Sequence, residues 1–520
     1  MVLHKIIQYF PRFVRASHTK QIPKNCRFGL IVLSVIAWFP IMLTTLAIAA
    51  DETQAISSDP SISVQPSMQH VQPSTEGKAA EPDAVLPLTA LVQQVLLLDL
   101  AGVNPVFGLH YRELTLSPNT LSAVDVARVK ADVKGYWRYI KTFAQCNNGA
   151  PVDTVLSVIP TDAQYQRVLK QVAHLVQLQA TEPWETLVLD EKLTAGMSHP
   201  LLDIIAKRLW LLGDLETEAT TNLVYSEELV VGIKRFQHRH GLKQDGVIGK
   251  QTMYWLNQSP KARAVLLAKN TIRQRVFERK LEPSYLLINV PAFEMTLVDN
   301  GTTVLNSKVI VGKSSRQTPL LDSQISSVVL NPSWRVPSSI LRRDILPQIR
   351  RNGHYLNERQ FDVYDYNGQL VQHMPEEWQD LASTSFPYQL VQRPGAKNAL
   401  GKYKFHFDNS FSVYLHGTSE PSLFNKDDRA LSSGCIRIEK VTELAQWFKE
   451  HLVKDKRLWD KLAPDVTETQ WFSLSQKLPV HLVYWTAWLD DSGQEQYRSD
   501  IYHLEAELTN AVPATVLDLN

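Results

Sequence analysis

Hydrophobic positions in this chain change their spacing from segment to segment, and each spacing predicts a different element. From Phe28 to Ala50 they are continuous and no charged residue interrupts them. Such a run is long enough to cross a bilayer as a helix. From 88 to 190 they recur every three to four positions. Leu91, Val95 and Leu98 form one stripe, and Val126, Val129, Val133, Trp137 and Ile140 another, which predicts a helical scaffold. A second helical unit is expected at 195–260. Leu201, Ile204, Ile205, Leu209 and Leu212 mark one helix, stopped by Gly213, and Ser226 is placed as the N-cap of the next. That helix runs through Leu229, Ile233, Phe236 and His240 to Gly241, and a glycine-marked turn leads into a short helix with Trp255 and Leu256. A basic helix over 261–280 follows.

Beyond it the spacing becomes alternating, the period of half-buried strands. Strands are expected at 285–290, 326–330, 402–407 and 411–415. Residues 295–298 and 304–311 read as a hairpin, because Asn300-Gly301 supplies the positive φ angles of a tight turn. Residues 345–392 carry Tyr355, Tyr364, Tyr366, Trp378 and Tyr388 in a mixed pattern, read as a capping insertion over a cleft. The tail, 461–520, is again strand-like, at 480–485 and 496–502. The expected fold is therefore α+β and multidomain: an N-terminal membrane helix, a helical scaffold, a helical module and a β-rich domain at 281–460.

Composition adds compartment. The first 27 residues include Lys5, Arg12, Arg15, Lys20, Lys24 and Arg27 and no acid. Positive charge on that side predicts that the N-terminal end stays in the cytoplasm, so residues 1–50 read as a cytoplasmic basic head plus a membrane anchor or signal, with the rest of the chain outside. Ala47-Ile48-Ala49 before Asp51 is a small-x-small pattern, so the segment reads as an uncleaved anchor or a removed signal. Residues 51–87 are rich in Ser, Pro and Gln and read as a disordered linker. A net charge of +1 leaves no basic stripe and argues against nucleic acid as a partner. Of three cysteines, Cys26 belongs to the head, and Cys146 and Cys435 to the exported part, where a disulfide between them is the alternative to a reactive thiol. No Cys/His cluster has metal-ligand spacing, and no cofactor or metal is expected.

The chemistry concentrates in Tyr414-Leu415-His416-Gly417-Thr418 and Ser432-Ser433-Gly434-Cys435-Ile436-Arg437. An imidazole can generate the thiolate that attacks a carbonyl, so Cys435 is read as nucleophile and His416 as general base, then acid. Gly434 allows close approach of the substrate, and the backbone N–H groups of Gly434 and Cys435 are oxyanion-hole candidates. Tyr414 should share a strand face with His416 and supply a donor, or pack in the core. Arg437 lowers the thiol pKa or binds a substrate carboxylate, or else holds the loop by an ion pair. Asn331 and Trp334 are weaker candidates for lining a substrate cleft.

These motifs, with Asn331-Pro332-x-Trp334-x-Val336-Pro337, the 393–401 segment ending in Asn398-Ala399-Leu400-Gly401, and Ile310-Val311-Gly312, resemble the YkuD-type L,D-transpeptidase catalytic domain over 284–460. The string 234–242, with Asp245-Gly246 and Gly249…Thr252, resembles the three-helix peptidoglycan-binding module. The order of parts is similar to large YcbB-type members. The resemblance implies attack on a tetrapeptide stem, release of D-Ala, a thioester, and a 3→3 cross-link formed with an acceptor amine. It implies that the Gly417 carbonyl orients the His416 ring. It also implies peptidoglycan stem peptides and glycan as ligands, other cell-wall synthases as partners, and a periplasmic location. The same acyl-enzyme fits an L,D-carboxypeptidase or a lipoprotein–peptidoglycan ligase or hydrolase. A non-catalytic peptidoglycan-binding protein is the alternative of a different class.

Overall fold

The computed structural model describes residues 88–116, 121–148, 159–218, 222–279, 281–462 and 467–506, side chains of 142–148 excepted. The basic head, the expected membrane segment 28–50 and the linker lie outside the described residues. Among the described residues no helix is long and apolar enough to cross a membrane.

The N-terminal half is helical, as its periodicity requires. Helices Leu88–Ala101, Ala123–Asn148 and Ala163–Thr181 bring Leu91, Val95, Leu98, Val129, Val133, Trp137 and Ile140 into one core without solvent exposure. Helices Leu202–Leu211, Glu227–Arg239 and Lys250–Leu256 share that core through Ile205, Leu209, Leu229, Ile233, Phe236 and Leu256. Ser226 caps the second of these by accepting from the Leu229 N–H. Ile204, expected on the apolar face, is 45% exposed, because the helix turns Leu202, Ile205, Ala206 and Leu209 inward instead. The basic segment forms helix Pro260–Glu278, capped by Ser259.

A nine-stranded sheet follows. β1 (Tyr285–Asn289), β2 (Glu294–Asp299) and β3 (Thr302–Gly312) form a meander, with Asn300 and Gly301 at φ 49° and 77° in the expected turn. The other strands are β4 (Leu321–Leu330), β8 (Tyr403–Phe407), β9 (Leu415–His416), β10 (Ala430–Ser432), β11 (Ile436–Ile438) and β12 (Gln470–Val483). Their spatial order is β10-β3-β11-β9-β8-β4-β12-β1-β2. β3 also pairs with β2, which closes the order on itself. Helix Val441–His451 packs Leu444, Ala445 and Phe448 against Phe405, Leu415, Ile436 and Ile438 of the sheet.

Two features of the tail depend on long-range pairing. β12 lies between β4 and β1, parallel to β1, so the sheet is completed by residues that follow the helix after the His/Cys motifs. The short hairpin β13 (Ala487–Leu489) and β14 (Glu495–Tyr497) packs into the helical core, not onto the sheet. There Glu495 pairs with Arg239 at 3.3 Å and Tyr497 stacks on His240 at 5.4 Å between ring centroids. The strand expected at 411–415 is confined to its end. The Asn409 side chain accepts from the N–H groups of Phe411 and Val413 and donates to the carbonyls of Phe407 and Val413, so a turn replaces the strand partners.

The insertion folds around its own small core. β5 (Trp334–Arg335), β6 (Phe361–Tyr364) and β7 (Gln389–Gln392) form a three-stranded sheet in the order β5-β7-β6. Val336, Leu341, Ile349, Phe361, Trp378 and Leu390 bury one another beneath helices Leu346–Arg351 and Pro375–Ser383. A π-helical turn, Leu341–Ile345, opens this cap, a local irregularity that is frequent at functional sites.

Candidate active site

Strand register builds the site. β9 and β11 run parallel with Leu415 opposite Ile436 and His416 opposite Arg437, while antiparallel β8 sets Lys404 opposite His416. Successive residues point to opposite faces. Leu415, Ile436 and Phe405 therefore enter the core, and Tyr414, His416, Cys435, Arg437 and Lys404 fall on the other face. The groups separated in sequence meet here because two parallel strands carry them side by side.

A cavity of about 340 Å³ opens over this face and is lined by Tyr414, His416, Cys435 and Arg437 from the sheet, Trp334 from β5, and Ile340, Asp344 and Tyr355 from the cap. Cys435 is a free, partly exposed thiol, so it is not locked in a disulfide. Burial pushes its pKa up, opposed by the Tyr414 backbone N–H and phenol, by Lys404 and by Arg437. His416 is buried. Desolvation, then the Arg437 guanidinium, push its pKa from the usual 6.5 down to about 3, against smaller opposing effects of the Gly417 and Leu400 carbonyls and a further lowering by Lys404. The resting pair is a thiol beside a neutral imidazole. Nδ1 of His416 is buried and makes no hydrogen bond of good geometry, while the Gly417 carbonyl expected to orient the ring, and that of Leu400, face it closely enough to favour its protonated form.

Tyr414 stands with its ring 5.6 Å from that of His416, and its phenol pKa is raised by burial and by the adjacent thiol while the Trp334 indole opposes the rise. Arg437 reaches Glu420 at 3.4 Å and the Thr418 hydroxyl at 3.5 Å, so it is both an ion-pair partner and a positive charge on the thiol. Gly417 donates its N–H to the Tyr403 carbonyl and packs against Gly401, where φ is 65° and an added Cβ would lie 2.6 Å from the Thr418 nitrogen, so a side chain is excluded. Asn331 does not line the cavity. It is buried at φ 47° between β4 and β5 in the chain, with its N–H on the Lys402 carbonyl.

The nucleophile loop departs from the expected oxyanion arrangement. The Gly434 N–H donates to Ser432 Oγ at 3.1 Å, and Ser432 Oγ donates to the Cys435 carbonyl at 2.6 Å. The Gly434 N–H is therefore already engaged. Gly434 itself has φ 115°, a region that only glycine occupies without strain.

Two groups escaped sequence reasoning. Lys404 lies with its ammonium 4.1 Å from the centre of the Tyr414 ring, and burial lowers its pKa. Alternation along β8 marks it as facing away from the core, but only register places it opposite His416. Arg316 donates to Asp344 of the cap at 2.5 and 2.9 Å and to Ser433 at 2.7 Å. No local signal joins three segments so far apart.

The depressed imidazole pKa has a measurable consequence. The folded state takes up this proton near pH 3 and the unfolded chain near 6.5, so between these values the unfolded state holds more protons. Stability is full above about pH 6.5 and falls as pH falls toward 3. Thermal midpoints measured across that window should decline less in His416→Gln than in the unaltered protein. Identical acid profiles would remove buried His416 as the cause.

Residues 283–461 match the YkuD family model, described as the L,D-transpeptidase catalytic domain. Residues 198–256 match the model described as "Putative peptidoglycan binding domain". The chain thus matches the L,D-transpeptidase catalytic-domain model in its C-terminal half and the peptidoglycan-binding model just before it. A protein of Haemophilus influenzae named "Putative L,D-transpeptidase" is 34% identical over 249 residues, which cover 47% of this chain and 49% of the relative. The match therefore spans about half of that relative's length. Among solved structures, an L,D-transpeptidase of Stackebrandtia nassauensis aligns at 14% identity over 58% of this chain and 97% of its own, with TM-score 0.21. The residue 123–326 portion of one from Xylanimonas cellulosilytica aligns at 13% identity over 58% of this chain and 100% of its own, with TM-score 0.18.

Proposed function

We propose that the protein is a peptidoglycan L,D-transpeptidase working through a cysteine thioester outside the cytoplasmic membrane. The observation that carries this is one cavity holding a free thiol, a neutral imidazole and a cap. His416 takes the proton as Cys435 sulfur attacks the carbonyl of the stem residue before the terminal D-Ala, forming the C–S bond and a tetrahedral oxyanion. The C–N bond then breaks, and the imidazolium returns the proton to the departing D-Ala amine. The side-chain amine of an acceptor stem attacks the thioester, His416 accepts its proton, and the thiol is restored as the new amide forms. Release of D-Ala from a tetrapeptide and a 3→3 cross-link are the products.

Charge supports a stem peptide as substrate. Lys313, Arg316, Arg359, Lys397 and Arg437 line the cavity against two acids, Asp344 and Glu420, which are themselves held by Arg316 and Arg437. A peptide bearing free carboxylates meets a cationic wall. The peptidoglycan-binding module supports the same polymer as ligand, with glycan held away from the chemistry.

Incubating the protein with disaccharide-tetrapeptide and resolving products by mass spectrometry tests the reading. Cross-linked dimer with free D-Ala supports transpeptidation. Trimmed tripeptide with no dimer would give an L,D-carboxypeptidase instead, and unchanged substrate a binding protein. Cap docking gives a further expectation. Asp344→Asn removes the charge that Arg316 holds, so KM for the tetrapeptide should rise about threefold or more as the closed cap loses a partly exposed ion pair. An unchanged KM would show that the pair does not govern cap closure.

A further inference from the structure

The geometry points to Thr318 as the positioning residue that aims the oxyanion donor of Cys435, with Tyr502 of the C-terminal segment holding Thr318 in place. The inference rests on the acyl-transfer reading and follows from accounting for every backbone group around the thiol. Ser432 Oγ takes the Gly434 N–H and donates to the Cys435 carbonyl. The Ile436 N–H is spent on the Tyr414 carbonyl at 3.1 Å. The Gly434 carbonyl accepts from Thr318 Oγ1 at 2.9 Å, in a buried site. Among the described residues, the Cys435 N–H has no such partner.

The Gly434 carbonyl and the Cys435 N–H belong to one trans peptide plane and point in opposite directions. Tying the carbonyl to Thr318, which is 2% exposed, turns the N–H away from the interior and toward the cavity that Cys435 lines. That N–H becomes the preorganised donor for the charge that develops on the substrate carbonyl oxygen. Freed from Thr318, this peptide would be free to turn about ψ of Gly434, where the missing Cβ leaves the backbone permissive, and aim the donor elsewhere.

Thr318 is itself fixed. Its hydroxyl accepts from the Gly312 N–H at 2.9 Å, and its own N–H donates to the Tyr502 phenol oxygen at 3.1 Å. The Tyr502 hydroxyl donates to the Gly312 carbonyl at 2.6 Å, across 190 residues of chain. The Tyr502 N–H donates to the Tyr484 hydroxyl at 2.9 Å, which donates to Asp500 at 2.6 Å. A tail segment beyond the sheet thus reaches the peptide next to the nucleophile through a buried chain of hydrogen bonds.

The test uses two reactions of the same sulfur in the full chain. Acylation by disaccharide-tetrapeptide generates an oxyanion, whereas alkylation by iodoacetamide is a displacement that does not. Thr318→Val keeps the shape and removes the hydroxyl. It should lower kcat about 10- to 100-fold, somewhat less than outright loss of an oxyanion donor, with KM changed less than about twofold and the alkylation rate unchanged. Thr318→Ser should restore kcat to within about threefold of the unaltered protein. Tyr502→Phe should show the same pattern in weaker form, and it serves if the valine variant does not fold. Three results overturn the proposal: a kcat within about threefold for Thr318→Val, a loss confined to KM, or an equal fall in alkylation, which would mean a disordered thiol. If the unaltered protein forms no acyl-enzyme at all, the acyl-transfer reading falls first and this inference with it.

Discussion

Cys435→Ala is expected to abolish both the acyl-enzyme and every product derived from it. Whole-protein mass spectrometry after incubation with disaccharide-tetrapeptide should show one adduct on the unaltered chain and none on the variant. Turnover should fall on the order of 10⁶-fold, the scale seen when an acyl-transfer enzyme loses its nucleophile. Neither neighbouring hydroxyl can substitute. Ser432 Oγ is engaged with the backbone on both sides, and Ser433 Oγ accepts from Arg316. Both hydroxyls also lack the acidity that makes a thiol useful near neutral pH. Cross-linking that survives this substitution would place the nucleophile elsewhere.

His416→Gln carries the second-largest expected effect. Glutamine keeps a polar group in the same buried place but cannot take the thiol proton, so acylation should slow about 10²- to 10⁴-fold. The loss should be strongest where the unaltered enzyme works best, because the thiol pKa is raised by burial and little thiolate forms without a base. Raising the pH should recover part of the rate in the variant, as solvent hydroxide replaces the imidazole. The unaltered protein, whose imidazole is already neutral down to low pH, should lack that steep alkaline rise. A pH-independent deficit would mean that His416 acts through packing and not through its proton.

Legibility differed between groups according to the range of the interaction that places them. The helical stripes and the Asn300-Gly301 hairpin were readable because both depend on neighbours within a few residues. The cap was visible as an insertion with its own aromatics, although its core also recruits Val336 and Leu341 from before the expected start. The strand expected at 411–415 was misjudged because Asn409 satisfies the backbone locally, and alternation alone cannot anticipate a side chain that competes with strand pairing. At the site, the Gly434 N–H was expected as a donor on spacing alone. It is consumed by Ser432 two residues away, a bond that depends on the fold of the loop.

By itself the sequence determined which chemistry is available: one thiol directly after glycine, one imidazole two residues after tyrosine and directly before glycine, and a change from helical to alternating spacing that puts both in a β-rich domain. Those features are local, and short-range sterics and period suffice to read them. Tertiary structure decided how that chemistry is tuned. Register set Lys404 opposite His416, Arg316 tied the cap to the nucleophile loop, and Tyr502 reached Thr318 and through it the Gly434 carbonyl. Each of these joins segments far apart in the chain, so no pattern within one segment encodes it. Burial did the rest, because a pKa depends on what surrounds a group once water has been removed.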